Sequence, residues 1–405
     1  MEVMPRELFA NPLIDGTASP WLDGAETLAD ILRETIVEKD AANEAPHYAI
    51  DLLREHDLLN LTIPRALGGH GQPYSVALDV ARILARVDGG IAHALGYHYT
   101  WTFFIALYDT ETGNTVLKRS AAEDLFWASI GSAFGGSGSI RADATGYTLE
   151  ATRGFATGAP LADLLFTQTV SADDGLLYLS AVDATLPGIA TSDDWDVVGQ
   201  RLSASTGITL TGVHIGAESI VTTLPAPGTY PTALQSLMIP SFQLLFAYLQ
   251  VGIAEGALLE ARDYVQANGR PWVHSTAETS SDDVHLQSLF GQHAAATVGA
   301  LAAARAASEV LTALHEGVVE VTPKSRGEAA ELIAAAKVVS QTVGLAATSA
   351  IFEATGARSS STRYGLDRHW RNLRTLSLHD PIFYKYTELG DYVLNGTLPT
   401  PSVYR

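Results

Sequence analysis

The chain has 405 residues, of which 47% are hydrophobic and 17% charged, a composition typical of a folded globular protein and unlike that of a disordered chain. Its formal net charge is −20, with no cluster of lysines and arginines interleaved with aromatics, which argues against nucleic acid or another polyanion as a partner. The sequence has no cysteine, which excludes disulfides, thiolate metal sites and cysteine nucleophiles, and the expected location is the cytoplasm.

The spacing of apolar residues divides the chain into three regions. Segments such as LADILRETIV and VALDVARILARV have helical spacing and predict an N-terminal helical domain, residues 1–125. Strand-sized pieces such as LLYLSAVD and ITLTGVHI then predict a small central β-domain, residues 126–230. After the proline-rich stretch TTLPAPGTYPT, long alanine-rich segments predict a C-terminal helical bundle, residues 231–405. The fold class is therefore α+β, mostly α.

The most hydrophobic stretch, residues 238–258, is long enough to raise the question of a membrane span. It contains Gln243, Gln250 and Glu255, and such side chains are costly in lipid. We therefore expect a helix buried in a bundle or an oligomer, with the membrane span as the minor alternative.

The order of helices, strands and helices differs from the βαβ pattern of nucleotide-binding sheets. The sequence has no complete G-x-G-x-x-G, P-loop, H-E-x-x-H or G-x-S-x-G motif. Nicotinamide-dependent enzymes and hydrolases are therefore disfavoured.

Seven segments, taken in order, carry a resemblance to a known family. They are LLNLTIPRALGGHG, VDGGIAHALGYH, GYTLEATRGFATGA, DDWDVVGQRLSASTG, LFAYLQVGIAEGALLEARDYVQANGRPW, FEATGARSSSTRYGLDRHWRNLRTLSLHDP and YVLNGTLPTPS. The chain resembles the acyl-CoA dehydrogenase superfamily over nearly its whole length, and within it the two-component flavin monooxygenases typified by dibenzothiophene monooxygenase. The resemblance implies an acyl-CoA dehydrogenase-like fold, with an N-terminal helical domain, a central small β-domain and a C-terminal four-helix bundle, usually assembled as a homotetramer.

The resemblance also implies a flavin between the β-domain and the C-terminal bundle, partly against a neighbouring subunit. Two stretches, 127–132 and 155–158, match those that hold the edge of the isoalloxazine ring. Arg270 matches an arginine that contacts the cofactor phosphate, a role that suits the planar guanidinium. Either stretch alone is more typical of an ordinary turn, and an isolated loop arginine is more often solvated. The candidate cofactor-binding residues are Trp127, Ser129, Ile130, Ser132, Ala156, Thr157, Arg270 and His379.

A true acyl-CoA dehydrogenase needs a carboxylate base to remove the proton alpha to the thioester. The two positions that the superfamily uses for this glutamate fall close to Gln243 and in the loop 376–381, and neither is a glutamate here. Asp380 stays open as a base. The monooxygenase branch instead carries a His-Asp pair in that loop, which His379 and Asp380 match. A flavin C4a-hydroperoxide needs shielding from water and a hydrogen-bond donor, which histidine supplies near neutral pH.

The resemblance extends to further candidate catalytic residues. His93 and Tyr97 match polar pocket residues of the sulfur-oxidising relatives, and their i, i+4 spacing puts them on one helix face. Thr157 keeps a hydroxyl where the close relative has a serine. Ile130 departs from the pattern, because the dibenzothiophene enzyme has an active-site asparagine there. Taken alone, His93 or His98 is more typical of a buried, hydrogen-bonded histidine.

The sequence thus predicts an enzyme that takes reduced FMN from a separate NAD(P)H-dependent flavin reductase and uses O2 to oxygenate a small aromatic or sulfur- or nitrogen-containing substrate. FAD is the alternative flavin. Two other functions stay open: an FAD-dependent acyl-CoA dehydrogenase-like enzyme with a displaced base, and a non-catalytic member of the fold that binds a ligand. The predicted catalytic residues are His379, Asp380, Thr157, His93 and Tyr97, and no metal site is expected.

Overall fold

The computed structural model describes residues 6–9, 19–131, 138–226 and 229–402. The N-terminal part of this chain is helical, as its apolar spacing predicts. Its helices are α1 (Arg6–Phe9), α2 (Pro20–Arg33), α3 (Ile36–Ala42), α4 (His47–Glu55), α5 (Tyr74–Ala85), α6 (Gly89–Tyr108) and α7 (Glu111–Glu123).

The middle of the chain forms one mixed sheet. Its strands are β1 (Trp127–Ile130), β2 (Gly138–Ala142), β3 (Tyr147–Arg153), β4 (Leu164–Ser171), β5 (Leu177–Asp183), β6 (Ile189–Thr191), β7 (Ile208–Ile215) and β8 (Ile220–Leu224). The strand order is β6-β7-β3-β2-β4-β5-β8, and β1 pairs in parallel with the first half of β4. Most of the other pairs are antiparallel, whereas β2 is parallel to the second half of β4.

The sheet buries both faces, because side chains alternate along each strand. On one face of β4, Phe166 stacks on Trp101 of helix α6, with ring centroids 4.5 Å apart. On the other face, Leu165 packs with Leu149 in a separate apolar cluster within the β-region. The first face therefore joins the sheet to the helices.

The C-terminal part of the chain is again helical. It consists of α8 (Met238–Asn268), α9 (Val284–His315), α10 (Pro323–Thr355), α11 (Asp367–Leu376) and α12 (Ile382–Asn395). The first three are long and pack against one another, and α8 is buried along most of its length. The order of N-terminal helices, central sheet and C-terminal helices confirms the predicted acyl-CoA dehydrogenase-like fold.

Helix α6 starts in close contact with the β-region. The carboxylate of Asp88 accepts hydrogen bonds from the backbone N–H groups of Gly90 and Ile91, at 2.8 and 2.9 Å, and caps the helix. A side chain at position 90 has no room, since a Cβ atom there would lie 2.6 Å from the backbone nitrogen of Ser203. Asn372 of α11 donates to the other oxygen of Asp88 at 2.8 Å. Three regions of the chain therefore fix where α6 begins.

By length and composition alone, three of the described helices could cross a membrane: α8 together with the preceding turn, α9 and α10. In α8, however, 83% of the most hydrophobic window is buried inside the protein. Glu255 in the same helix is fully buried, and both of its oxygens lie 2.8 Å from Nη1 of Arg82. Nε of Arg86 donates to Glu255 Oε2 at 2.7 Å. Burial inside the protein therefore explains the hydrophobicity of α8.

We expect Glu255→Gln to lower the free energy of unfolding by about 3 kcal/mol, because removing the fully buried carboxylate leaves Arg82 and Arg86 with only their less buried partners, Asp79 and Glu26. Urea unfolding at fixed protein concentration measures the loss. Glu26→Gln is the matched control, since Glu26 contacts Arg86 at 2.5 Å while its side chain is 29% exposed. The control should lose less than about 1 kcal/mol. Equal losses in the two variants would contradict a special role for the buried carboxylate.

Candidate active site

A cavity of about 850 Å³ lies where helix α6, the sheet, the start of α8 and the end of α11 meet. This volume suits a small-molecule site. One part of its wall is polar, with His93, Thr157, Gln200, Ser203, Ser205 and His379. Another part is apolar, with Trp101, Phe166, Leu177, Leu179, Met238 and Phe242. The cavity therefore offers hydrogen-bonding groups and an apolar surface to the same ligand.

His379 lies on the cavity wall, directly after α11. Its Nε2 atom is 3.3 Å from the Tyr97 hydroxyl, and its Nδ1 atom is 3.2 Å from Oδ1 of Asp380. Its ring packs on Phe246, with centroids 4.4 Å apart. The structure thus brings together three of the predicted catalytic residues and orients the imidazole from both of its nitrogens.

Asp380 itself is buried and binds a residue that the sequence did not indicate. Lys337, in the middle of α10, donates from Nζ to the Asp380 carboxylate and to Oε1 of Gln243, the latter at 2.7 Å. Lys337 is 2% exposed. Gln243 and Asp380, which lie at or near the two positions that the resemblance implied for a glutamate base, therefore both contact one lysine. In the sequence, Lys337 stands out only as the single basic residue of the alanine-rich segment GEAAELIAAAKVVSQ.

The electrostatics of this group favour the ionised pair. Burial alone would raise the pKa of Asp380, but the hydrogen bond from His379 and the charge of Lys337 outweigh it and hold that pKa well below its ordinary value. Burial lowers the pKa of Lys337, and the charge of Asp380 opposes that shift. A carboxylate in contact with an ammonium is a weak base.

His93 is buried one helical turn before Tyr97, and the two rings meet edge to face with centroids 4.6 Å apart. Gln200 fixes its tautomer. The amide nitrogen of Gln200 donates to the backbone carbonyl of Asn372 at 3.1 Å, so its Oε1 faces His93 Nδ1 at 3.2 Å and accepts from it. Burial, followed by the charge of His379, lowers the pKa of His93 to about 3. His93 is therefore a neutral ring that carries its proton on Nδ1.

Thr157 lies in the turn after β3, where its hydroxyl is 2.9 Å from Ser205 Oγ, which is 2.7 Å from Ser203 Oγ. Phe155 precedes it with a φ of 56°, a left-handed conformation that is costly for a bulky residue. Its side chain is 75% exposed, lines the cavity and meets Trp195 edge to face at 5.8 Å. A row of three hydroxyl groups and the exposed ring of Phe155 therefore border one side of the cavity.

The predicted cofactor-binding residues are divided between this cavity and other places. Ser129, Thr157 and His379 line it. Among the residues that the structure describes, the wall does not include Trp127, Ile130 or Ala156, whose side chains are buried in apolar clusters.

The remaining two cofactor predictions lie elsewhere. Ser132 lies outside the described residues. Arg270 is exposed in the loop after α8 and is not part of the cavity wall in the described chain.

His98 has a structural role. Its Nε2 atom is 2.7 Å from the backbone carbonyl of Leu59, and its Nδ1 accepts the backbone N–H of Trp127 at 3.1 Å. Its ring stacks on Phe126, with centroids 5.2 Å apart. Both ring nitrogens are used, so this histidine ties α6 to β1, as expected for a buried hydrogen-bonded histidine.

Sequence reasoning also missed Gln200 and Gln168. Gln200 links His93 to α11, and Gln168 points from β4 to the cavity. Gln200 lies within DDWDVVGQRLSASTG, one of the segments that carried the resemblance, so its segment was found but its contact was not.

Comparison with known proteins identifies the class. Residues 25–124 match the family model "Acyl-CoA dehydrogenase, N-terminal domain", and residues 244–382 match "Acyl-CoA dehydrogenase, C-terminal domain". Dibenzothiophene monooxygenase from Rhodococcus erythropolis is 34% identical over 93% of this chain and 94% of the relative. A probable FMNH2-dependent monooxygenase, SfnC, from Pseudomonas putida is 32% identical over 97% of this chain and 100% of the relative.

Solved structures agree with these matches. Methanesulfinate monooxygenase MsuC from Pseudomonas fluorescens superposes with a TM-score of 0.90 and 32% identity, covering 96% of this chain and 100% of that one. The FMN-bound TdsC from Paenibacillus sp. A11-2 superposes with a TM-score of 0.89 and 30% identity, covering 96% of this chain and 100% of that one. The chain belongs to the acyl-CoA dehydrogenase family. Within that family it is a flavin-dependent monooxygenase, homologous to dibenzothiophene monooxygenase.

The burial of His98 predicts a loss of stability in acid. Burial lowers its pKa from the ordinary 6.5 to about 4, so the unfolded chain takes up a proton at a higher pH than the folded one. The stabilisation is complete above pH 6.5 and is lost as the pH falls from there towards 4. At pH 5.5 the loss from this residue should be about 1 kcal/mol.

Thermal melting of the wild type and of His98→Gln, between pH 7.5 and 5, measures this effect. Glutamine keeps a donor for the Leu59 carbonyl but does not titrate. The melting temperature of the variant should be lower at pH 7.5 and should fall less steeply with acid. Parallel curves for the two proteins would show that His98 does not contribute to the acid sensitivity.

Proposed function

We propose that this chain uses reduced FMN and O2 to insert one oxygen atom into a small aromatic or sulfur- or nitrogen-containing substrate. When bound, the reduced flavin would supply the oxygen-activating chemistry through a C4a-hydroperoxide. A separate NAD(P)H-dependent flavin reductase would supply it, and both proteins would work in the cytoplasm. The observation that carries the proposal is His379, held on the cavity wall by Asp380 and facing Tyr97.

The names and ligands of the relatives support FMN. One relative is described as FMNH2-dependent, and TdsC has been solved both with FMN and with indole. In this chain the hydroxyls of Ser129 and Thr157 and the exposed face of Phe155 lie on the cavity wall. Hydroxyl groups and an aromatic face suit the edge and plane of an isoalloxazine ring, so the residues fit the cofactor.

A homotetramer is part of the proposal. Arg270 is exposed after α8, away from the cavity of its own chain, and the neighbouring Trp272 is 73% exposed. An exposed arginine suits a phosphate group, and in an oligomer it would reach the cofactor of a neighbouring subunit. Contact with a neighbouring subunit would also account for the exposure of Trp272 in the single chain.

His379 would hold and deliver a proton at Nε2. Its Nδ1–H donates to Asp380, so Nε2 is the atom that faces Tyr97 and the cavity. The apolar wall around His379 excludes water from the cavity. This strengthens the hydrogen bonds inside the cavity and would slow the side reaction that releases hydrogen peroxide in place of product. His93 is held as a neutral ring and would serve as a hydrogen-bonding group without carrying charge.

Lys337 argues against the dehydrogenase alternative. Removing a proton alpha to a thioester requires a carboxylate base close to the substrate. Gln243 has no basic group, and Asp380 is paired with Lys337 at a lowered pKa. In the part of the chain that is described, Asp380 is also not on the cavity wall. Neither family position thus offers an available base.

The apolar wall favours an aromatic substrate. Trp101 and Phe242 meet edge to face, with centroids 5.0 Å apart, and Phe166 stacks on Trp101. Such surfaces bind planar rings. Position 130, where the dibenzothiophene enzyme has asparagine, is an isoleucine here, and its side chain is buried in the opposite cluster of the sheet and is not on the described cavity wall. No amide from this position therefore faces the substrate. We therefore expect a substrate range different from that of the dibenzothiophene enzyme.

Stopped-flow absorbance tests the proposal. The purified protein is titrated anaerobically with reduced FMN and, separately, with reduced FAD, and is then mixed with oxygenated buffer. We expect tighter binding of reduced FMN and a near-ultraviolet species that outlives the one formed by free flavin. If the protein does not bind reduced FMN but retains oxidised FAD, and an acyl-CoA bleaches that FAD, the protein is instead a dehydrogenase.

His379→Ala should leave the affinity for reduced FMN within about threefold and raise the hydrogen peroxide released per reduced FMN by roughly threefold or more, because the proton donor is gone. Peroxide is measured with a coupled peroxidase assay. Leu378→Ala is the matched control, since Leu378 lines the same cavity beside His379. Peroxide release that stays at the wild-type level in His379→Ala would remove this histidine from the mechanism.

A further inference from the structure

Lys337 is a buried charge without a role in the reaction described above. Its side chain is 3% exposed, and its ammonium lies 5.1 Å from the centre of the Phe246 ring. The ammonium donates to Asp380 and Gln243. A charge is costly to bury, and it is tolerated where it is paired and hydrogen-bonded. The surrounding contacts meet that condition.

The position of Lys337 connects it to the cavity only through other residues. In the described chain it is not on the cavity wall, whereas Gln243 and His379 are. The same oxygen of Asp380 receives Lys337 on one side and faces His379 Nδ1 on the other. Any change in the charge of Lys337 is therefore transmitted to the imidazole through one carboxylate.

The contact of Lys337 with Asp380 changes how strongly that carboxylate favours the protonated form of His379. A carboxylate beside a histidine favours the protonated ring, and an ammonium on the same carboxylate offsets this preference. With Lys337 present, the aspartate charge is already balanced. Without it, the His379–Asp380 pair would hold its proton to a higher pH.

The other titratable and charged groups around the pair come from helices α6 and α12. From α6, Tyr97 contacts His379, and His93 is kept neutral because burial lowers its pKa to about 3. From α12, Lys385 acts on Lys337 from a distance and is paired with Glu388 at 2.9 Å. From α8, the neighbours Gln243 and Phe246 carry no charge. Lys337 is thus the cation in direct contact with the Asp380 carboxylate.

We propose that Lys337 is a positioning residue that sets the proton content of the His379–Asp380 pair. Its ammonium balances the Asp380 carboxylate, which reduces the hold of that carboxylate on the proton of His379 and leaves the proton available for the reaction. This inference rests on the proposed function, since it concerns the same histidine.

The first test uses the whole 405-residue chain without flavin. Histidine is labelled with ¹³C, and the ring signal of His379, assigned with His379→Ala, is followed by NMR as the pH is changed. In Lys337→Gln the midpoint of this titration should rise by about one pH unit, a tenfold change in proton affinity. Lys337→Arg keeps the charge and should stay within about 0.3 of a unit of the wild type.

A double variant keeps the test decisive if Lys337→Gln folds poorly. Lys337→Met with Asp380→Asn removes both buried charges together and avoids leaving one uncompensated. Its midpoint should stay close to that of the wild type, because the carboxylate and the ammonium are removed together. A rise of about one pH unit in this variant would contradict the inference. Thermal melting confirms that each variant is folded at the pH of the titration.

The second test measures hydrogen peroxide release from reduced FMN as a function of pH. The midpoint of this profile should move upward in Lys337→Gln and return in Lys337→Arg. An unmoved midpoint in a folded Lys337→Gln, or the same shift in Lys337→Arg, would leave Lys337 with a structural role alone and overturn the inference. If the NMR midpoints shift as expected while the wild type does not react with reduced FMN, the proposed function fails and the charge role of Lys337 stands.

Discussion

The fold is arranged around the burial of helix α8, and two of its buried polar residues, Gln243 and Glu255, contact charged side chains from other parts of the chain. Near its middle, Glu255 is fully buried and binds two arginines: Arg82, which lies in α5, and Arg86, the residue that follows α5. Near its start, Gln243 meets Lys337 of α10. The first group joins the N-terminal helices to the bundle, and the second lies behind the cavity. The polar contacts of a single helix therefore define both how the regions are assembled and where the site lies.

The cavity depends on contacts between all three regions of the chain. Helix α6 supplies His93 and Tyr97, the β-region supplies Thr157 and Gln200, and the segment after α11 supplies His379. Gln200 is bonded to α11 through its backbone N–H, 2.6 Å from the side-chain oxygen of Asn372, as well as through its amide. Because the same residues hold the regions together and orient the polar groups, the site is organised by the packing of the fold.

Much of the fold and part of the site could be predicted from the sequence. Apolar periodicity reports local structure, so the three regions and their order were evident. The resemblance placed His379, Tyr97, His93, Thr157 and Ser129 at one site, and the structure brings them to one cavity. Lys337 could not be found in this way, because its partners Gln243 and Asp380 are 94 and 43 residues away in the sequence. Sequence spacing defines one face of one helix and contains no information on contacts between elements. For the same reason, the burial of Ile130 and Ala156 away from the cavity was not predicted.

The turn that contains Phe155 is held in a strained backbone conformation. A phenylalanine held in a left-handed conformation is strained by about 1–3 kcal/mol, and here its ring is left largely open to solvent. Its neighbours hold the backbone in place, since Ala156 donates to the carbonyl of Thr206 at 2.9 Å and Gly158 donates to that of Ser203 at 3.0 Å. The aromatic surface is therefore presented before any ligand arrives, so the entropy of ordering this turn is spent during folding and is not subtracted from the affinity for the ligand.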